Sequence, residues 1–186
     1  MALGLVSCGS NAPTLHGYIP PSAKYVGGVS VHEARAAEPF TFVAAKGEML
    51  IVYFGYTHCP DLCPATMSNI KNAKRQIGDL ASRVDIAMVT VDPNRDTDSI
   101  LSDYLSSFSE TYHALVPQSD AELESAKKVF QVTSSVQEVN GKIEVAHGAT
   151  SYVVDDTGHV IDEWPFGMDS VSMANDLTIL LTEKGK

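Results

Sequence analysis

Cys59 and Cys63 are the residues best placed to do chemistry. They close the stretch Phe54-Gly55-Tyr56-Thr57-His58-Cys59-Pro60-Asp61-Leu62-Cys63-Pro64, in which an apolar run gives way to a helical pattern. The first turn of a helix offers unpaired backbone N–H groups and the positive end of the dipole, and both stabilise a thiolate. Both sulfurs are therefore expected as anions near neutral pH. Residues four apart on one helical face lie about 6 Å apart at Cα, within reach of a disulfide. The same closeness lets two thiolates converge on one soft metal ion, since sulfur selects Cu(I), zinc or iron–sulfur chemistry over hard cations. A Cys-x-x-Cys pair would point directly to dithiol redox chemistry; the three intervening residues leave redox exchange, metal binding and a plain buried role open. A structural zinc knot is disfavoured, because it needs a second cysteine pair or two histidines at ligand spacing, and the chain has neither.

Other polar residues read as support. His58 adjoins Cys59 and is expected to be structural or to stand in the outer shell of the site, and Asp61 can cap the helix. Asp92, Arg95 and Asp96 read as a turn with an ion pair before Thr97, placed after a strand and so able to border the site. His147, between Ala146 and Gly148, reads by itself as an exposed loop histidine, and His16, His32, His113 and His159 have no ligand spacing. Met49, Met67, Met88 and Met173 fall in apolar periodic segments and read as core.

The elements that must position the cysteines follow from hydrophobic period. Met49 to Tyr56 is a continuous apolar run rich in branched and aromatic residues, the pattern of a strand buried on both faces. From Pro64, Ala65, Met67, Ile70, Ala73 and Ile77 recur at helical steps until Gly78. Val84 to Val91 predicts a second buried strand, Thr97 to Phe108 a helix, and Asp120 a cap for a helix to Phe130. Asn140-Gly141 predicts a tight hairpin, Asp155 to Gly158 a second one, and Ser170 to Thr182 a last helix. Before these, Tyr25 to His32 and Pro39 to Ala44 read as short edge strands forming an additional N-terminal hairpin. The expected fold is α/β and thioredoxin-like, a central mixed β-sheet flanked by helices.

The 186 residues, 44% hydrophobic, suit one domain with a real core. A formal charge of −10 repels a phosphate backbone, so nucleic acid is not an expected partner. No apolar stretch is long enough for a membrane-spanning helix. Leu5-Val6-Ser7-Cys8 resembles a bacterial lipobox, in which the cysteine becomes the processed N-terminus and carries diacylglycerol. No Lys or Arg precedes it and the apolar run is short, so residues 1–20 read as a truncated signal with lipobox and tether, and residues 21–186 as the single domain. Lipidation at Cys8 would account for the odd cysteine.

Tyr56-Thr57-His58-Cys59-Pro60-Asp61-Leu62-Cys63-Pro64, then Val89 to Thr97 with Asp92-Pro93-Asn94-Arg95-Asp96, then His147 ahead of Tyr152-Val153-Val154-Asp155 and Gly158, resemble the Sco/SenC proteins, which assist cytochrome c oxidase assembly. The resemblance implies a thioredoxin-like fold and one copper ion, Cu(I) or Cu(II), held by Cys59, Cys63 and His147. It further implies a copper domain tethered to the membrane outside the cytoplasm, in keeping with a lipid anchor on Cys8. The expected partners are the CuA-bearing subunit of cytochrome c oxidase, as copper acceptor, and a thioredoxin-like reductant for the cysteine pair. The competing expectation is an extracytoplasmic thiol-disulfide oxidoreductase acting on oxidase-subunit cysteines, in which Cys59 attacks and Cys63 resolves. A peroxidase of peroxiredoxin type is disfavoured, because Thr57 precedes Cys59 by two residues rather than three. Ala149-Thr150 stands where thioredoxins carry a cis-proline opposite their cysteines, which leaves room for an imidazole to approach the sulfurs.

Overall fold

The structure, a computed structural model, describes residues 14–183. Cys8 and the lipobox lie outside the described residues. Strand β4 (Met49–Gly55) is buried along its whole length, as its apolar run requires. It pairs in parallel with β5 (Val84–Thr90), Met49 opposite Val84 through Gly55 opposite Thr90, and β5 pairs in parallel with β6 (His113–Leu115). On its other side β4 pairs antiparallel with β9 (Ser151–Val154), and β10 (His159–Trp164) and β1 (Lys24–Tyr25) complete a mixed sheet of order β1-β10-β9-β4-β5-β6.

Alternation along β4 assigns its two faces. Tyr53 reaches the Cys63 sulfur on helix α1 (Leu62–Gln76), which packs against α4 (Ser170–Glu183). Phe54 and Tyr152 point the other way and pack on Phe130 of α3 (Asp120–Phe130). Helix α2 (Asp98–Ser106) lies beside β6. Helices thus cover both faces, and the fold is thioredoxin-like, as the order of elements predicts. No helix among the described residues is long and apolar enough to cross a membrane.

Local differences have local causes. The expected strand Tyr25 to His32 breaks at Gly27-Gly28: Lys24–Tyr25 joins the main sheet, and only Ser30–Val31 (β2) pairs with Phe40–Thr41 (β3). The extra N-terminal ladder is therefore two residues per strand. Ser119, not Asp120, caps α3, its hydroxyl accepting from the Glu122 N–H. Ala65 faces solvent, since the buried stripe of α1 is Cys63, Thr66, Met67, Ile70 and Ala73. The Asn-Gly hairpin forms as expected, β7 (Ser134–Val139) and β8 (Lys142–His147) turning at Asn140 (φ 52°) and Gly141 (φ 75°). Tyr18 joins the edge of β10, exchanging backbone hydrogen bonds of 2.8 and 2.9 Å with Glu163, and the His16 and Gly17 N–H groups before it donate to the Asp176 carboxylate of α4.

Candidate metal centre

The chain leaves β4 at Gly55 and enters α1 at Leu62, so the seam between central strand and helix is one short loop. A Cβ at Gly55 would stand 2.7 Å from the Tyr53 ring, 3.0 Å from the Cys63 sulfur and 3.0 Å from the Met88 methyl. Glycine lets the sulfur lie against the strand end. The loop is pinned from beneath by Asp96, which is fully buried. Its carboxylate accepts from the Thr57 N–H at 3.0 Å, the Thr57 hydroxyl at 2.6 Å and the Thr90 hydroxyl at 2.6 Å. At the helix start, the Cys63 N–H donates to the Cys59 sulfur at 3.3 Å.

His147 enters from the last residue of β8. Its Nδ1 lies 2.9 Å from the Gly148 carbonyl, which can only accept, so Nδ1 carries the proton and Nε2 keeps a free lone pair. That Nε2 lies 3.6 Å from the Cys63 sulfur. The rings of Tyr53 and Tyr56 stand edge-on to the imidazole, with centroids 6.1 and 5.7 Å away. The ligand atoms of Cys59, Cys63 and His147 all lie within 4.8 Å of one another, the one such group of three His, Cys, Asp or Glu donors among the described residues. Both cysteines are free thiols. The lone-histidine reading of His147 therefore gives way: the fold brings it 84 residues back to Cys63.

The two sulfurs are electrostatically unequal. Burial pushes the Cys59 thiol up, but the N–H groups of Cys63, Asp61 and Leu62 and a hydrogen bond with the Cys63 side chain outweigh it, leaving its pKa below the ordinary value. Cys63 is pushed up to about 12, first by burial and further by the neighbouring Cys59 charge, against the opposing N–H of Tyr56 and hydroxyl of Tyr53. The expectation of two anions near neutral pH therefore fails at Cys63, which keeps its proton, while Cys59 is the more acidic of the pair. The helix terminus favours the sulfur at its mouth; the other is enclosed in the core, with no exposed surface. Two sulfurs and an imidazole nitrogen form a soft donor set that suits a thiophilic ion and offers a hard cation nothing.

Asp92 does pair with Arg95, whose guanidinium carbon lies 5.9 Å from the Tyr56 ring centre. Asp96 serves the cysteine loop rather than that ion pair. His58 is half-exposed, 3.2 Å from the Thr57 hydroxyl and 3.6 Å from Asp96, and belongs to the support. Asp61 occupies the N-cap position without a side-chain cap bond. His32 pairs with Asp98 and His113 with Glu33, away from the sulfurs. Tyr53 was readable only as a strand residue, although alternation from Gly55 puts it on the face Cys63 must meet.

The sequence model of the SCO1/SenC family matches residues 33–182. Protein SCO2, mitochondrial, of Saccharomyces cerevisiae is 31% identical over 128 residues, 67% of this chain and 42% of that protein. The chain thus spans about two fifths of the yeast relative's length. The structure of Bradyrhizobium japonicum ScoI with copper bound aligns at a TM-score of 0.70 and 28% identity, over 81% of this chain and 95% of that one. BsSco, a member of the Sco family of cytochrome c oxidase assembly proteins with an identified disulfide switch, shares the fold at a TM-score of 0.61 and 20% identity, over 83% of this chain and 94% of that one.

Proposed function

The chain belongs to the SCO1/SenC family, and from that membership we propose that it is a copper metallochaperone for cytochrome c oxidase assembly. Cys59, Cys63 and His147 hold one copper ion and pass it to the CuA-bearing subunit. The observation that carries this reading is the meeting of their three donor atoms within 4.8 Å, on a fold shared with a copper-bound ScoI. Cys59, already the more acidic thiol, receives the ion; Cys63 gives up its proton as the positive charge arrives, and the Nε2 lone pair of His147 completes a three-coordinate site. Two thiolates cancel the charge of Cu(II) and leave Cu(I) with one negative charge in excess. Cargo leaves by ligand exchange on the side of His147, which borders an open groove of about 400 Å³. Outside the cytoplasm the cysteine pair tends to oxidise, so a thioredoxin-like reductant must restore the dithiol before loading. A lipid on Cys8 would hold the domain at the membrane surface.

One observation favours a second reading, thiol-disulfide exchange on oxidase-subunit cysteines. Cys59, buried but less enclosed than Cys63 and the more acidic of the two, suits the attacking sulfur, and the fully enclosed Cys63 the resolving one. Cys59 thiolate would attack a partner disulfide, release one partner thiolate and form a mixed disulfide. Cys63 would then lose its proton and displace the second thiolate, leaving the partner reduced and this pair oxidised.

Anaerobic titration of the reduced protein with Cu(I) and Cu(II), beside His147→Ala, separates the two. The chaperone reading expects one copper per chain and a thiolate-to-Cu(II) band that weakens in the variant. Affinity should fall at least tenfold there, since even outer-shell changes commonly cost roughly 10- to 100-fold. Absence of stoichiometric copper, with dithiol exchange intact in both proteins, would transfer the assignment to the oxidoreductase.

A further inference from the structure

Tyr53 is a wholly buried phenol in the middle of the central strand, and the reading above gives it no task. Its hydroxyl donates to the Cys63 sulfur at 3.5 Å, while its ring stands edge-on to the imidazole of His147. The Thr66 side chain, one turn along α1, hydrogen-bonds the phenol in turn. One side chain therefore touches two of the three donors, which come from different elements.

We propose that Tyr53 is a tuning residue of the copper site, its O–H···S bond to Cys63 setting how strongly that sulfur holds the ion. The inference rests on the chaperone reading and deepens it. A hydrogen bond to a charged acceptor is roughly twice as strong as one to a neutral acceptor, so the phenol supports the sulfur most when that sulfur is a thiolate ligand. Without it, the buried sulfur would have to carry its charge with only the backbone N–H of Tyr56 to stabilise it. The same bond draws electron density from the sulfur lone pairs, lowering them in energy and raising the energy of the thiolate-to-Cu(II) transition. Cys59, at the helix mouth, is served instead by three backbone N–H groups and by the Tyr56 side chain.

Tyr53→Phe removes only the oxygen and keeps the ring against His147. In a competition titration with a chromophoric Cu(I) chelator it should bind copper roughly 10- to 100-fold more weakly. Its Cu(II) band should move to lower energy, with stoichiometry unchanged. Tyr152→Phe, which removes a phenol oxygen from the opposite face of the sheet, should shift neither. A fluorinated tyrosine at position 53, a stronger donor of the same shape, should move the band to higher energy, so the test runs in both directions even where the phenylalanine variant is poorly folded. A band that stays in place in both position-53 variants, with wild-type affinity, overturns the role of Tyr53 and leaves the chaperone reading standing. Failure of the wild-type protein to bind copper overturns both.

Discussion

Cys59 on its loop and Cys63 in the first turn of the helix that follows are braced from several sides, whereas His147 sits at the foot of a two-stranded ribbon that pairs only with itself. The loop follows a fully buried strand, is pinned by Asp96 and runs into a helix whose first buried residue is Cys63. The ribbon formed by β7 and β8 is solvent-exposed along most of its length and pairs with no other strand. Its foot is tied by the Gly148 N–H to the Thr133 carbonyl at 3.1 Å and by the Lys127 ammonium to the Ser134 carbonyl at 3.4 Å. An isolated hairpin is marginally stable in water, and local opening draws on the least buried elements. In the proposed chaperone this arrangement would keep two ligands fixed and let the third come and go, leaving an acceptor one ligand to displace before it meets the ion.

The largest effect should come from undoing the brace. Asp96→Ala removes the acceptor of three donors, including the Thr57 N–H, and an unsatisfied buried group costs about 1–3 kcal/mol. Urea denaturation should show a loss of about 3 kcal/mol, and copper affinity should fall because Cys59 lies two residues from Thr57. Asp96→Asn retains one acceptor oxygen and should lose less. A midpoint unchanged in the alanine variant would mean that the loop is held by packing alone.

Next in size is the difference between the sulfurs. Alkylation of the reduced apo-protein, followed by peptide mass, should modify Cys59 roughly tenfold faster than Cys63 or more near pH 7, because the thiolate is the reactive form. For Cys59 the rate should level off below its ordinary pKa of 9.0, whereas Cys63 should keep gaining towards about 12. Equal rates would remove the order of events proposed for loading.

The parts of this design open to sequence reading were those written in adjacent residues. The apolar run at Met49, the three- and four-residue steps after Pro64 and the Asn-Gly turn each specify their own element. Strand β6 escaped because His113-Ala114-Leu115 is too short to show a period. Asp96 read as a turn residue because its partner Thr57 lies 39 positions earlier, where no local pattern points to it. Cys63 read as an anion because the helix terminus is local information, while the burial that reverses it comes from Tyr53, Met88 and the rest of the core. The approach of His147 to the sulfurs came from family resemblance alone, since the antiparallel pairing of β9 with β4 returns the chain to the cysteines and no spacing encodes it.

The smallest effect isolates the ribbon itself. Gly141 holds a left-handed conformation that costs other residues about 1–2 kcal/mol, and a Cβ there would meet no neighbouring atom, so Gly141→Ala loads strain on the turn and nothing else. Because the ribbon adds little to the global core, the denaturation midpoint should hardly move. Amide exchange over residues 134–147 should accelerate about fivefold or more, the equivalent of about 1 kcal/mol. Copper release to a chelator should quicken by a similar factor if the foot of the ribbon is what opens, while alkylation of Cys59 in the apo-protein should stay as it was. Faster exchange with unchanged copper release would place the step elsewhere, at Cys63 leaving the ion with His147 still in place.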